Sequence, residues 1–243
     1  LEGRKPLKPY YTSKGKNATE NLPLYCGFDI ETTNDEATRS AYMYIATLAI
    51  ATENACIIVH FRKWDYFTFF CRKLSEHFQL SDQRHIIIFI ANEGFEFQFI
   101  RNRFEWDQGE FSFFAKEERQ PLKATTSHHI EFREALSISG GGLAYLAKTY
   151  TTTQKAVGDL DYSIPRNSTT PLTETEMGYI NNDVLILCEF AYYIFTVYLG
   201  PKRWFPMTKT SILRRDLKEH LQQAAGQHWQ AYLDLVQSLF PNY

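Results

Sequence analysis

The chain has 243 residues, of which 44% are hydrophobic and 16% aromatic, and its formal net charge at pH 7 is −2. This length and composition favour one folded domain and exclude a disordered tail. The charge excludes a strongly basic nucleic-acid binder, although an enzyme whose metal ions neutralise phosphate locally needs no such excess. The 19 Phe and 15 Tyr offer flat faces for unstacked bases.

Positive charge is concentrated in an N-terminal run and in a late run of the sequence. The basic residues of these runs are Arg4, Lys5, Lys8, Lys14 and Lys16, then Lys202, Arg203, Lys209, Arg214, Arg215 and Lys218. Each run fits a solvated surface as well as it fits a surface that follows phosphates, so both interpretations stay open.

Four cysteines are scattered without a Cys-x-x-Cys pair, which predicts buried free thiols in a reducing cytoplasm. The longest apolar run, around residues 86–91, is too short to span a bilayer, and no signal peptide is recognisable. We therefore expect no membrane association. Because the first residue is Leu1 and not Met, we expect the chain to be a piece of a longer protein.

The first half of the chain alternates strand and helix patterns. A basic, aperiodic arm is predicted over residues 1–22, and strands are predicted over residues 24–29, 41–50 and 55–61. A helix over residues 65–78, a strand buried on both faces over residues 85–91 and a second helix over residues 94–103 are predicted to follow.

The second half is mainly helical. Two β-like stretches around Pro121, within residues 111–134, indicate an inserted hairpin. A long helix is predicted to begin at the capping box Thr173-x-x-Glu176 and to end at Gly200-Pro201. A helix is also predicted over residues 143–150, a loop over residues 151–171, and two C-terminal helices over residues 210–223 and 228–239. The order of elements predicts an α/β domain with a mixed sheet over residues 23–200, followed by a helical extension over residues 201–243.

Asp29 and Glu31 form the first candidate site. They leave the end of a predicted strand two residues apart, so strand alternation places both side chains on one face. Neighbouring carboxylates repel each other unless a cation lies between them, and a divalent metal ion fits that role. On spacing alone, ordinary solvated acids explain the pair equally well.

Two further acids are candidates. Glu96 follows the next apolar strand and falls in the first turn of a predicted helix, where the helix dipole favours negative charge. Tyr179 and Asp183 lie one turn apart on a helix whose other faces are apolar, so Asp183 needs a positive partner. Taken singly, a helix N-terminal acid and a Tyr–Asp hydrogen bond are the simpler explanations.

Taken together and in order, these residues carry a family resemblance. Asp29-x-Glu31-Thr32, the segment from Asn92 to Glu96 and Tyr179-x-x-x-Asp183 resemble the three exonuclease motifs of ribonuclease-H-like DEDD exonucleases whose last motif carries a Tyr. The segment from Gly158 to Tyr162 is similar to the Gly-Asp-Ile-Asp-Tyr segment of protein-primed family B DNA polymerases of phages and linear plasmids. The similarity extends over about residues 24–218.

The resemblance implies a ribonuclease-H-like mixed sheet flanked by helices, with a β-hairpin insertion and a helical C-terminal extension that leads toward a missing polymerase palm. It also implies a proofreading 3′→5′ exonuclease that uses two Mg²⁺ or Mn²⁺ ions. The implied catalytic residues are Asp29, Glu31, Glu96, Tyr179 and Asp183, with the four acids as metal ligands. The implied substrate-binding residues are Thr32, Asn92, Phe95, Leu136, Lys155 and Tyr162.

The partners implied by the resemblance are the 3′ end of single-stranded DNA and a terminal (priming) protein. We expect a monomer in the cytoplasm, which is the host cytoplasm if a phage encodes the protein. The sequence contains no polymerase palm motifs, so no DNA synthesis is expected.

Two positions depart from the family pattern. Glu96 stands where the family has Asp, and its longer arm carries the same charge. Val157 stands where the family has a Lys that assists catalysis, and Lys155 lies two residues earlier. Either Lys155 reaches the site from a shifted loop, or the enzyme works without that Lys.

Two alternatives remain open. A stand-alone DEDD exonuclease acting on DNA or RNA would share every catalytic residue. A non-catalytic module that binds a DNA end or a priming protein would explain the two departures as lost chemistry, and it should bind no stoichiometric Mn²⁺.

Overall fold

A computed structural model describes residues 8–15, 18–35, 39–156 and 160–239. Within these residues nine strands form one mixed sheet. The strands are β1 (Tyr10–Tyr11), β2 (Glu20–Asn21), β3 (Tyr25–Asp35), β4 (Ser40–Ala51), β5 (Cys56–Phe61), β6 (Arg84–Ile90), β7 (Phe113–Glu117), β8 (Gln120–Thr125) and β9 (Ile130–Glu134).

The sheet is built around three parallel central strands. Its main order is β5-β4-β3-β6-β9-β8-β7, with β3 parallel to β6 and β6 parallel to β9. The outer pairs β3–β4, β4–β5, β8–β9 and β7–β8 are antiparallel. The apolar run of β6 is therefore buried between neighbours, as its sequence predicts.

Helices cover both faces of the sheet. They are α1 (Trp64–Phe78), α2 (Glu93–Ile100), α3 (Leu136–Ser139), α4 (Leu143–Tyr150), α5 (Glu174–Ile194), α6 (Gly200–Lys202), α7 (Lys209–Ala225) and α8 (Trp229–Leu239). One core, which contains Phe28 and Phe67, lies under α1 and α2, and the other, which contains Tyr25 and Phe190, lies under α5. The predicted α/β architecture with a mixed sheet, a hairpin and a helical extension is confirmed.

Helix α5 is the element that crosses closest to β3. Thr173 caps its N-terminus and forms the predicted capping box with Glu176. A Cβ atom on Gly27 would lie 2.4 Å from the carbonyl oxygen of Val184 and 2.6 Å from the Cβ of Leu187. Only glycine leaves room for this approach. Gly27 therefore allows the backbone of α5 to pack directly against β3, beside Asp29 and Glu31.

The long helix continues past the predicted stop. A π-helical turn, Phe195–Leu199, joins α5 to α6, and the chain leaves the helix at Arg203 with φ 50°. The pair Gly200-Pro201 does not end the helix, because Pro201 lies in the first turn of α6, where a missing N–H costs no internal hydrogen bond. The stretch Glu174–Lys202 is apolar and long enough to cross a membrane, but 56% of its most apolar window is buried inside the fold, as in a core helix.

Other boundaries also differ from the sequence predictions. Pro121 lies inside β8, opposite Ala115 at a register shift, and the hairpin turns at residues 118–119. Residues 130–134 form β9 of the central sheet and do not belong to the hairpin. The segment predicted as an aperiodic arm contributes β1 and β2, and β2 extends the sheet parallel to β6.

Candidate functional site

The candidate site begins at the end of β3. Alternation places Gly27, Asp29 and Glu31 on the face covered by α5, while Phe28 and Ile30 point to the opposite core. The β4 strand carries a register shift opposite Glu31 and Thr32. Thr32 pairs with Met43, a residue of the α1–α2 core, and so lies on the other face from Glu31.

Helix α5 supplies the second part of the site. Asp183 is buried on the side of α5 that faces β3, and Tyr179 lies one turn earlier. The ammonium nitrogen of Lys155 lies 2.6 Å from each carboxylate oxygen of Asp183 and 3.9 Å from the centre of the Tyr179 ring. Lys155 therefore reaches the site from the loop after α4. The aligned Val157 lies outside the described residues, as do Gly158 and Asp159.

Helix α2 supplies the third part of the site. Glu96 lies in its first turn, is 3% exposed and hydrogen-bonds to the Asp29 carboxylate. Its Oε2 atom has no hydrogen-bond partner. Asn92 precedes the helix, and its carbonyl oxygen accepts from the amides of Phe95 and Glu96. The structure thus brings Asp29, Glu31, Glu96 and Asp183 together from three elements that are distant in sequence.

Burial and neighbouring carboxylates raise the pKa values of the acids in this site. Burial and the Asp183 carboxylate raise the pKa of Asp29 to about 7, against a smaller opposing effect of Lys155. Burial and the charges of Asp29 and Asp183 raise the pKa of Glu31 to about 8. Burial and the Asp29 charge also raise the pKa of Glu96 well above its ordinary value. One ammonium group is thus too little positive charge for this site.

Lys155 and Asp183 respond to each other. Burial alone would lower the pKa of Lys155, but its hydrogen bonds to Asp183 and Tyr179 outweigh burial and raise it. Burial raises the pKa of Asp183, and Lys155 opposes that shift. The two groups form a salt bridge in the site.

Sequence reasoning missed two acids beside the site. Glu134, at the end of β9, accepts hydrogen bonds from the backbone amides of Glu93 at 2.7 Å and Leu136 at 2.8 Å. Burial raises the pKa of Glu134 to about 7. Glu93 is fully buried, and neither of its carboxylate oxygens has a partner. An acid that ends the parallel strand next to β6 was the signal that could have identified Glu134.

The proposed substrate residues surround the acids. Tyr162 is 66% exposed and lies beside Glu31 and Tyr179, and Phe95 is also exposed. Asn92 and Leu136 line an open groove of about 510 Å³, whose other wall is the β7–β8 hairpin at Arg119. Tyr162 therefore lies beside the acids, and Asn92 and Leu136 line a groove together with Glu134. Thr32 points to the other face of β3.

Divalent metal ions fit the chemistry of this donor set. Within the described ranges, no three His, Cys, Asp or Glu side chains already have the spacing of metal ligands. The carboxylates nevertheless form an all-oxygen set with excess negative charge, and the Oε2 of Glu96 is buried without a partner. Such a set suits hard divalent cations, and Asp29, Glu31, Glu96 and Asp183 would hold them.

Comparison with known proteins is informative at the level of fold. No family model matches this chain, and no curated protein matches it. The structure of Phi29 DNA polymerase complexed with single-stranded DNA matches 84% of this chain and 35% of that chain at a TM-score of 0.60 and 17% identity. The orthorhombic crystal form of the same polymerase gives a TM-score of 0.59 at 18% identity, over 82% of this chain and 34% of that one.

A third match is the ternary complex of Phi29 DNA polymerase with primer-template DNA and incoming nucleotide. It gives a TM-score of 0.54 at 18% identity, over 73% of this chain and 32% of that chain. The chain thus spans about a third of the polymerase chains that it matches. It has a ribonuclease-H-like α/β fold, with a mixed sheet flanked by helices, as the motifs predicted, and this fold is similar to part of Phi29 DNA polymerase.

Proposed function

We propose that this chain is a metal-dependent 3′→5′ exonuclease domain of the proofreading type found in protein-primed family B DNA polymerases. The observation that carries the proposal is the convergence of Asp29, Glu31, Glu96 and Asp183 at the end of β3, with Tyr179 beside them. The pKa values of all four acids are raised by burial, and those of Asp29, Glu31 and Glu96 are raised further by a neighbouring carboxylate, so the site needs added positive charge. A scissile phosphodiester adds more negative charge, so cations are required again when substrate binds.

The proposed chemistry is hydrolysis of the terminal phosphodiester. Asp29, Glu31, Glu96 and Asp183 would hold two Mg²⁺ or Mn²⁺ ions, which when bound would supply the positive charge that activates water and stabilises the leaving oxygen. The four carboxylates hold positive charge at the reacting phosphate, and the Tyr179 hydroxyl orients the attacking water. Lys155, which contacts both Asp183 and Tyr179, holds that hydroxyl in place and reduces repulsion among the acids.

The proposed substrate is the 3′ end of single-stranded DNA. Tyr162 and Phe95 expose aromatic rings beside the acids, where unstacked bases could stack without sequence preference. The groove lined by Asn92 and Leu136 continues away from the acids toward the β7–β8 hairpin. Some of the matched structures are complexes with DNA, which supports this class of ligand for the fold. A terminal protein as partner and a monomeric state remain part of the proposal.

The decisive experiment follows a 5′-labelled single-stranded oligonucleotide in the presence of Mg²⁺ or Mn²⁺. We expect a ladder that shortens from the 3′ end, and no ladder from the Asp29→Ala/Glu31→Ala double variant. The matched control is Glu53→Ala/Asp82→Ala, which removes two acids outside the site and should digest like the wild type. Undiminished digestion by the site variant would refute the proposal.

The same assay separates the alternatives. Digestion of an RNA strand at the rate of the DNA strand would favour a stand-alone exonuclease acting on RNA. A chain that binds the DNA end but binds no Mn²⁺ would be a non-catalytic module.

A further inference from the structure

Arg166 is a buried arginine that no sequence motif identified. It lies in the loop between α4 and α5 and is 4% exposed. Its guanidinium donates to the carbonyl oxygens of Asp161 at 2.7 Å and of Ile164 at 3.1 Å. It also donates to the Glu176 carboxylate, through Nε at 3.1 Å and through Nη2. A buried charge with this many aligned partners fixes the groups around it.

The two carbonyl groups belong to the turn that carries Tyr162. The Ile164 amide donates to the Asp161 carbonyl at 3.3 Å, and the Ser163 amide and hydroxyl donate to the Asp161 side chain at 2.9 Å and 2.6 Å. Tyr162 therefore lies at the first corner of a closed turn. Since its ring is 66% exposed, packing does not hold it, and its place depends on the backbone of this turn.

Arg166 also connects this turn to the two elements that carry acids. Its backbone amide donates to the Thr33 hydroxyl at 3.0 Å, two residues beyond Glu31 on β3. Its partner Glu176 is the residue that closes the capping box of α5, the helix of Tyr179 and Asp183. Arg166 thus fixes the position of the turn relative to both β3 and α5.

We propose that Arg166 is a positioning residue for Tyr162: its guanidinium and amide hold the turn at residues 161–164 against β3 and α5, so that the Tyr162 hydroxyl stays on Glu31 and Tyr179. The proposal rests on the proposed exonuclease function, since Tyr162 is there the residue that grips the terminal nucleotide. Arg166 itself touches no substrate in this arrangement.

A second arginine in the same loop provides a matched control. Arg62 donates to the carbonyl oxygens of Asn167 at 2.8 Å and of Thr170 at 2.7 Å. It therefore holds the later part of the loop, whereas Arg166 holds the 161–164 turn. Arg62→Gln removes a guanidinium from the loop and leaves the bonds of Arg166 in place.

The first test does not depend on enzymatic activity. Amide hydrogen exchange of Ser163 and Ile164 should be about 10-fold faster in Arg166→Gln than in the wild type, because the turn opens locally. Arg62→Gln should leave these two amides unchanged, and the amides of α5 around Asp183 should stay protected in both variants. Unchanged exchange in Arg166→Gln would overturn the positioning role, whether or not the wild-type chain degrades DNA.

The second test uses the single-strand digestion assay. Arg166→Gln should lower kcat/KM about 10-fold, mainly through KM, and should add nothing to the effect of Tyr162→Ala in the double variant. A purely structural role would lower activity on both backgrounds by the same factor, and that result would contradict the proposal. If Arg166→Gln does not fold, Arg166→Lys keeps the charge beside Glu176, cannot reach both carbonyl groups, and should show the same pattern. Absence of digestion by the wild type would instead refute the proposed function, and the exchange test would still decide the role of Arg166.

Discussion

Two clusters of charged residues on the sheet are built around buried carboxylates whose pKa values are shifted in opposite directions. Glu131 on β9 is 3% exposed, and Glu31 at the end of β3 is similarly buried. Lys123 lies 2.9 Å from it, His85 lies 3.7 Å from it, and Arg133 also contacts it. Burial alone would raise the pKa of Glu131, but Arg133, His85 and Lys123 outweigh it and lower the pKa below its ordinary range. The β9 cluster is therefore complete without added ions.

Among the residues that the structure describes, Lys155 is the only cation that contacts the acids at the end of β3 and on α5. Asp29, Glu31, Glu96 and Asp183 share one ammonium group, and their pKa values rise instead of falling. Glu31, Glu96 and Asp183 are buried like Glu131, so the main difference lies in how many cations the fold itself provides. A cluster that the fold neutralises serves stability, whereas a cluster left negative is suited to bind cations.

The largest expected effect comes from Glu31→Gln. We expect digestion of single-stranded DNA to fall about 1000-fold, because a ligand for positive charge at the phosphate is lost. The same change should raise the thermal midpoint of the metal-free chain by a few degrees, since it removes a repelled carboxylate. Rate assays with Mg²⁺ and melting in a chelator measure the two effects. A loss of both activity and stability would break the contrast with Glu131.

The corresponding change in the other cluster is Glu131→Gln. We expect it to lower the free energy of unfolding by about 3 kcal/mol, because Arg133 and Lys123 lose their shared buried counter-charge. Digestion per folded molecule should stay within about 2-fold of the wild type. Denaturant titration and active-site-normalised rates test this prediction. A large drop in rate at unchanged stability would show that the β9 cluster takes part in the chemistry.

The third-largest expected effect is on the pH dependence of stability, which should differ between the two clusters. Glu31 has an ordinary pKa of 4.5 and a folded-state pKa of about 8, so the folded chain holds more protons than the unfolded chain between these values. The contribution of Glu31 to the stability of the metal-free protein is therefore fully present below pH 4.5 and should fall as the pH rises toward 8, by on the order of 2 kcal/mol. Urea titrations from pH 5 to 8 measure the slope. Glu31→Gln should flatten it, and an equally steep slope in that variant would assign the protons elsewhere.

The smallest expected effect is on metal affinity. Lys155→Met removes the ammonium that contacts Asp183, and Mn²⁺ should then bind about 10-fold more tightly because one competing positive charge is gone. Digestion should nevertheless slow, since Tyr179 loses the group that holds its hydroxyl. Calorimetric titration with Mn²⁺ gives the affinity. The control is Lys148→Met, which changes an exposed lysine of α4. Weaker Mn²⁺ binding would mean that Lys155 supports the ligands more than it competes with the ion.

The main elements could be predicted from the sequence because their patterns are local. The apolar run of β6, the amphipathic spacing of α1 and the capping box at Thr173 each fix an element without reference to the rest of the chain. The convergence of Asp29, Glu31, Glu96 and Asp183 was predictable only through their order and family resemblance. Their identities as metal ligands and catalytic groups stay predictions.

Long-range contacts account for what the sequence left open. The position of Lys155 beside Asp183 depends on how the loop after α4 folds over α5. The pairing of β2 with β6 depends on the first residues of β6, Arg84 and His85, which β3 does not pair with. The buried Glu93 and Glu134 were missed because an acid at a strand or helix end reads as a solvated residue. Pro201 failed as a stop signal because the π-helical turn before it is set by packing of Tyr198 and Leu199.

Gly27 has a consequence for how variation in this chain should be read. In a library of single substitutions selected for nuclease activity, Gly27→Ala should disappear as completely as changes at Asp29, although a methyl group there would meet only the backbone and Leu187 of α5. Activity screens alone would count Gly27 among the reactive groups. Screening the same library for folded protein would separate them, because Gly27→Ala should be depleted there and Asp29→Asn retained.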